Sequence, residues 1–327
     1  MEFGNFSQVT EVFLLGFHSV QSLKILFFFL VLTIYCVTIC GNLSIILLVS
    51  FSRDLQCPMY FFLAQLSFSD ILLTSNITPN MLHVILHEGS NMTLAGCLTQ
   101  FYFFTASEAL ECLLLTVMSY DRYQAICNPL HYTTLIDQTF CINTVLSFWF
   151  FILAIILMLS LTISRLQFCG PHVIDHFFCD FAPLLGLSCS DTFVVELESK
   201  LLAIPLVIAP FVIITVSYVY IISNILKISS VTTGRQKTFS TCSSHLVAVS
   251  LYYGSLISIY LFPNQELVKK IISVFYTAIT PLLNPIIYSL RNRDIKQALL
   301  KILNKSCFPL QIAKHNCNCM SENPCLF

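Results

Sequence analysis

The sequence predicts an all-α membrane protein: a seven-transmembrane helix bundle with a short amphipathic cytoplasmic helix after the seventh span. Three observations carry that expectation. The 327 residues are 56% hydrophobic and only 10% charged, with a mean hydropathy of +0.80, where a soluble domain carries about 25% charged residues. The apolar residues gather into seven runs, each near the roughly 20 residues that one crossing needs. Basic residues are distributed unevenly between the connections, as they are in spanning proteins. The net charge of -1 points to no nucleic-acid partner and leaves membrane lipid as the first one.

Residues 1–24 read as an extracellular N-terminal tail. They contain Glu2 and Glu11, lack a basic start, and precede a run long enough to span, so the first span is expected to be its own insertion signal. Asn5-Phe6-Ser7 is a glycosylation sequon, usable only on the luminal side. The spans are expected over 25–49, 59–86, 97–126, 140–164, 197–226, 238–262 and 268–290, within a membrane domain of residues 25–290. With the N-terminus outside, the inner segments hold Arg53, Arg122, Lys227, Arg235, Lys237, Arg291, Arg293, Lys296, Lys301, Lys305 and Lys314. The outer segments hold Lys24, Arg165, Lys200, Lys269 and Lys270, so eleven of the 16 basic residues lie inside, in keeping with the positive-inside rule. Residues 291–304 read as an amphipathic membrane-surface helix, with Ile295, Leu299 and Ile302 spaced among Arg293, Lys296 and Lys301. Residues 305–327 form a cytoplasmic tail in which Cys307 is a palmitoylation candidate.

Cys97, Cys169, Cys179 and Cys189 fall in outer segments and read as two disulfides with three connectivities open. One bridge is expected to tie the long outer connection, about 165–196, to the third span. The other cysteines read as apolar packing residues or reduced thiols. Asn91-Met92-Thr93 is a second outer sequon, whereas Asn76-Ile77-Thr78 lies inside a span and reads as chance. Pro79, Pro205, Pro210, Pro281 and Pro285 lie inside apolar runs, where each removes a helix hydrogen bond and favours a kink. Bent helices suit a bundle that rearranges; static packing is the alternative.

Polar residues at membrane depth carry the functional reading. Asp70 and Glu111 are expected to face each other with Asn42 and Asn284 nearby, hard oxygen donors that suit a small cation such as sodium. The alternative is a protonated acid that stitches helices together. Glu108 lies one turn outward of Glu111 on much the same helix face, where it meets a donor or cation on a ligand or stands neutral. Asp121 and Arg122 stand where a span meets an inner loop, and a pair at that depth can serve as a switch. His83 and His87 share a face, and His172, His176, Cys179 and Asp180 cluster in the outer loop. Their spacing allows a metal, and loop-folding hydrogen bonds are the plainer reading. No zinc-protease, phosphate-loop or nucleophile-elbow motif is present, so an enzyme reading has no residues to stand on.

Several motifs then converge. They are Gly41-Asn42, Asp70, Asp121-Arg122-Tyr123, Trp149, Pro210 with Tyr218, and Asn284-Pro285-Ile286-Ile287-Tyr288. Beside them stand Pro58-Met59-Tyr60-Phe61-Phe62-Leu63, Met118 to Cys127 followed by Pro129-Leu130-His131-Tyr132, Lys237 to Leu246, and Pro281 to Asn292. From Asn5 to about Leu303 the chain resembles the olfactory receptors, a branch of the rhodopsin-like (class A) G-protein-coupled receptors. The resemblance implies an odorant receptor of the plasma membrane, multi-pass, with the N-terminus extracellular and the C-terminus cytoplasmic. An odorant ligand in the outer half of the bundle would activate a heterotrimeric G protein of the stimulatory olfactory type and raise cyclic AMP.

The resemblance also implies disulfides Cys97 to Cys179 and Cys169 to Cys189, and a sodium ion at Asp70 and Glu111 as allosteric modulator, with no other cofactor. It places ligand-binding candidates at Phe104, Thr105, Glu108, Cys112, Tyr253, Ser255, Ile257, Tyr260 and Thr277. The activation switch it implies comprises Asp121, Arg122, Tyr123, Tyr218, His245, Asn284, Pro285 and Tyr288. Departures from the family pattern are Ser119, Gln124, Tyr252, Glu108 and Asn264; the last stands where acid-binding relatives place an Arg. Two other readings are a transporter or channel using Asp70, Glu108 and Glu111 as a relay, and the same receptor acting as a non-olfactory chemosensor. Transport would be favoured by inverted repeats, and the two halves show none.

Overall fold

Hydrocarbon offers the backbone no hydrogen bonds, so apolar runs of this length close their own as helices. The computed structural model describes residues 10–17, 23–169, 172–227, 233–261, 266–291 and 293–307. Asn5, Asn264, the side chains of Tyr260 and Cys307, and the tail from residue 308 lie outside the described residues. In chain order the elements are β1 (Glu11–Leu14), α1 (Lys24–Phe51), α2 (Pro58–His87), β2 (Ser90–Thr93), α3 (Leu94–Cys127), α4 (Pro129–Leu135) and α5 (Gln138–Ser164). There follow β3 (Val173–Ile174), α6 (Phe181–Leu185), α7 (Phe193–Ala203), α8 (Ala209–Lys227), α9 (Thr233–Leu261), α10 (Glu266–Val274), α11 (Thr280–Arg291) and α12 (Arg293–Cys307).

Seven long helical stretches coincide with the seven expected spans, α7 continuing into α8 and α10 into α11. Five of them, α1, α3, α5, Phe193–Lys227 and Leu267–Ser289, are long and apolar enough to cross a membrane. α2 is more polar because Ser67, Ser69, Asp70, Thr74 and Thr78 line its buried side, and α9 opens on Arg235 and Lys237. The protein is thus an α-helical membrane bundle. Its axis is α3, 67% buried across its most apolar window against 17% for α1. The outer helices turn Phe29, Leu47, Phe150, Met158, Val212 and Val219 outward, which costs nothing where the solvent is lipid.

Three of the prolines bear on the local hydrogen bonding or winding of their helices. Pro285 has no N–H to give to the carbonyl four residues back, and Asn42 Nδ2 donates to that Pro281 oxygen instead at 3.1 Å. Pro205 and Pro281 adjoin or lie within wide π turns, Ile204–Ile208 and Phe275–Ile279, so the strain is taken up by an extra residue per turn. α12 buries Ile295 and Ala298 and is held to α2 by Tyr60, whose hydroxyl donates to Asp294 at 3.0 Å. Cys57, expected as a thiol, is disulfide-bonded.

An all-helical expectation missed a small sheet of order β2-β1-β3. β1 pairs antiparallel with β2 (Val12 opposite Met92) and parallel with β3 (Phe13 opposite Val173). Alternation explains it: Val12 and Leu14 are buried against Cys97, Phe101, Ile163 and Cys179 while Glu11 is exposed. Gly16 follows with φ +66°, and a Cβ there would lie 2.3 Å from Val84 Cγ1. Gly16→Ala therefore combines left-handed strain with a clash and is expected to cost about 1–3 kcal/mol, read as a lower melting temperature of the detergent-solubilised protein. Gly254→Ala, with nothing within 4 Å of the new Cβ, is expected to hold or raise it; equal losses at both positions would refute the account.

Candidate ligand and switch sites

At the α12 end of the bundle, Asp121 is fully buried and Arg122 is 14% exposed in its side chain. Neighbours in a helix do not share a face, so Arg122 folds back, placing Nε 2.9 Å and Nη2 2.5 Å from Asp121 Oδ2. The other carboxylate oxygen accepts from the Tyr132 hydroxyl at 2.9 Å. Tyr132 stands on α4, an element the hydropathy reading does not contain, and its part in the latch went unassigned. Tyr123 meets Tyr220 edge-on at 6.1 Å. The two departures here have local partners: Ser119 donates to the Thr116 carbonyl, and Gln124 bridges Tyr120 and Asn128.

A second polar chain crosses nearby. His245 Nε2 lies 3.1 Å from the Leu115 carbonyl, and Nδ1 lies 2.8 Å from the Tyr218 hydroxyl. A carbonyl can only accept, so Nε2 carries the proton, and a neutral ring then takes the Tyr218 proton at Nδ1. The Tyr288 hydroxyl is buried with no partner.

In the middle of the bundle Asn284 Nδ2 lies 3.2 and 3.1 Å from the two Asp70 oxygens and 3.4 Å from Glu111 Oε1. Both acids are buried, at 1% and 3% exposure, and share one amide group. Two like charges so placed need a counter-charge or a proton. The amide oxygens of Asn42 and Asn284 are buried and bare, and the two carboxyls are oxygen donors of the kind a small hard cation takes. Asn42 itself serves the Thr38 and Pro281 carbonyls. Among the described residues no three His, Cys, Asp or Glu side chains converge as a metal set. His83 and His87 stack on each other at 4.2 Å instead.

On the Cys97 side of this centre lies a buried aromatic cluster, the candidate ligand niche. Phe104 meets Phe178 edge-on at 5.0 Å and Tyr276 at 6.1 Å. One turn inward, both Glu108 carboxyl oxygens are buried without a partner, and the Tyr252 hydroxyl donates to the Glu108 backbone carbonyl at 2.9 Å. A further turn in, Cys112 Sγ and the Tyr253 hydroxyl satisfy each other at 2.9 Å. Thr105 is half-buried beside Phe104, and Thr277 is buried in the π turn with its hydroxyl on the Ser273 carbonyl. Ser255 bonds the Tyr252 carbonyl and lines a groove between α9 and α10, and Ile257 is 50% exposed. Those two stand apart from the niche. Sequence reasoning missed Tyr252, Tyr276 and Phe178 as wall residues; only Tyr252 left a signal, as a departure from the family pattern.

The segment 172–189, its cover, packs on this cluster through Phe177 and Phe178. Disulfides join Cys97 to Cys179 and Cys169 to Cys189, with Cα separations of 5.5 and 5.8 Å. Gln100 accepts from the Cys179 amide at 3.0 Å and exchanges hydrogen bonds with Asn76, which gives the in-span Asn76 its structural use. His176 is buried against Phe177 and Phe178; burial, with Lys270 adding to it, pushes its imidazole down to about 3, so it is neutral. Burial raises Asp180, whose carboxylate caps the Phe181 amide at 2.8 Å. Lys270 donates to Asp175 Oδ1 at 2.5 Å and to the Gly16 carbonyl at 2.9 Å. Asn91 is exposed on β2, and Thr93 of the same sequon caps α3.

A family model described as olfactory receptor matches residues 31–306. The chain is 46% identical over 310 residues to Olfactory receptor 11L1 of Homo sapiens, covering 94% of this chain and 96% of that one. It is 43% identical over 304 residues to Olfactory receptor 1468 of Rattus norvegicus (92% and 96% covered). To Olfactory receptor 5P60 of Mus musculus it is 46% identical over 308 residues (93% and 96%).

The latch geometry makes a stability prediction. Tyr132→Phe leaves one Asp121 oxygen buried and bare, at about 1–3 kcal/mol. A melting temperature of the purified protein unchanged by the substitution would show that this bond holds nothing.

Proposed function

Because the chain belongs to the olfactory receptor family, a family of receptors and not of enzymes, we propose that it binds a small, mostly apolar odorant in the aromatic niche and signals through a stimulatory G protein to cyclic AMP. The observation that carries this reading is α3 itself. One helix bears Glu108 and Phe104 at the niche and Asp121 with Arg122 at the far end, and 13 residues at 1.5 Å each set the two sites about 20 Å apart. The basic-residue asymmetry supports a plasma-membrane orientation with the N-terminus and niche outside and α12 on the cytoplasmic leaflet.

Ligand affinity must differ between two arrangements of the bundle to shift one toward the other. In the resting one, Asp121 holds Arg122 and Tyr218 holds His245. In the signalling one, Arg122 leaves Asp121, the bare Tyr288 hydroxyl finds a partner, and the α12 end opens for the G protein. The π turns before α8 and α11 are natural hinges for that change. The buried acids serve as ligand and cation sites, which leaves no relay for transport.

Sodium is proposed at Asp70 and Glu111, where it would neutralise the paired carboxylates and favour the resting arrangement. Replacing sodium by choline is expected to raise basal cyclic AMP in the parent protein and to leave Asp70→Asn and Glu111→Gln unmoved; equal sensitivity in all three would remove the site. For the switch, Arg122→Ala, present at the cell surface, is expected to lose the cyclic AMP response to an activating odorant found by screening. A response of normal size from that variant would sink the mechanism.

A further inference from the structure

The niche has a chemical peculiarity that an apolar odorant leaves unanswered. Both Glu108 carboxyl oxygens are shut from solvent and accept no hydrogen bond, although a buried carboxyl without a partner costs several kcal/mol. The Tyr252 hydroxyl stands beside this carboxyl, but its one proton goes to the Glu108 backbone carbonyl at 2.9 Å. Tyr253 is engaged with Cys112. An ionised carboxylate only accepts, and a neutral carboxyl can give one proton and still accept, so in either state the site is short of a donor.

The surroundings narrow the donor further. Glu111 and Asp180 add negative character, both acting on Glu108. The Phe104 ring lies 5.0 Å from that of Phe178 and 6.1 Å from that of Tyr276, and ring faces attract cations. The basic groups of the cover do not compete. His176 is held neutral by burial, Lys270 is bound to Asp175 and the Gly16 carbonyl, and Lys269 acts on Asp180. A buried carboxyl one helical turn from Phe104 and its ring neighbours suits an ammonium group on a compact apolar body.

Resting on the receptor reading above, we propose that the ligands of this protein are small amines, bound as ammonium ions through a charge-assisted hydrogen bond to Glu108 beneath the Phe104, Phe178 and Tyr276 rings. Ammonium ligands supply the missing donor and a counter-charge together. Alcohols supply only the donor, and carboxylates meet like charge.

The test uses the full-length protein at the surface of cells carrying a stimulatory G protein and a cyclic AMP reporter. The probes are pentylamine, cyclohexylamine and benzylamine, with the matched alcohols and carboxylic acids, and a set of odorant esters, aldehydes and terpenes. The amines are expected to act at concentrations at least tenfold lower than the matched alcohols, with the acids inactive. Glu108→Gln is expected to raise the half-maximal amine concentration at least thirtyfold and that of the alcohols less than threefold. Glu108→Asp, which keeps the charge, is expected to retain the amine preference, which guards against a Gln variant that merely folds poorly. Amine potency unmoved by Glu108→Gln, or a wild type that answers alcohols, esters or acids in preference to amines, overturns the inference and leaves the receptor reading standing. Silence to every probe, joined by no shift in the melting temperature of the purified protein with any of them, overturns both.

Discussion

The constraint on which this structure depends is that lipid accepts no hydrogen bonds and donates none. Each polar group carried to membrane depth must find its partner inside the bundle or wait for one. Of the eight buried side-chain atoms without a partner among the described residues, five belong to Asn42, Glu108, Asn284 and Tyr288. These residues lie along the interior, around α3 and α11, and not on the lipid face. Satisfied groups hold the helices in place: Asn76 with Gln100, Asn42 with the carbonyl that Pro285 leaves free, Tyr60 with Asp294. On the reading proposed above, Glu108, Asn284 and Tyr288 are the unsatisfied groups that await a ligand, an ion or a second arrangement.

Seen in this way α3 has a division of labour along its length. Its first turns are fixed by Cys97 and Gln100 to the cover, its middle carries Glu108 and Glu111, and its last turns carry the ion pair. The disulfide-tied end holds Phe104 and Phe178 in register. The opposite end relies on hydrogen bonds from Arg122 and Tyr132 to Asp121, with no covalent link among them. Helices that meet this post through π turns add a local reserve of backbone freedom beside the sites that need it.

Much of this was legible in the amino-acid order. Seven apolar runs give seven helices because span length and hydropathy are properties of single segments, and the intramembrane acids announce themselves by cost alone. Asp121 and Arg122 were readable as a pair, whereas Tyr132 was not, because its closeness depends on how a short helix folds back under α3. The wall residues Tyr276 and Phe178 come from a π turn and a loop, where no period says which way a side chain faces. Ile257, half exposed, shows a related limit: position along a span fixes depth and leaves the facing direction to packing. The strands were missed because four-residue β1 carries too short an alternation to stand out beside helices of 27 residues or more. The disulfide connectivity came from family likeness; spacing alone left three choices.

The sheet also imposes a schedule on synthesis. Its middle strand, β1, ends at Leu14 and is made before any span, while its partners end at Thr93 and Ile174. One edge of β1 therefore stays open until two spans exist, and the other until four do. An open strand edge is adhesive, and this one adjoins Val12 and Leu14, whose burial requires Cys179 and Ile163 to be in place. Closing the sheet thus registers that the first half of the chain has been threaded in the right order, before the helices that complete the niche have left the ribosome.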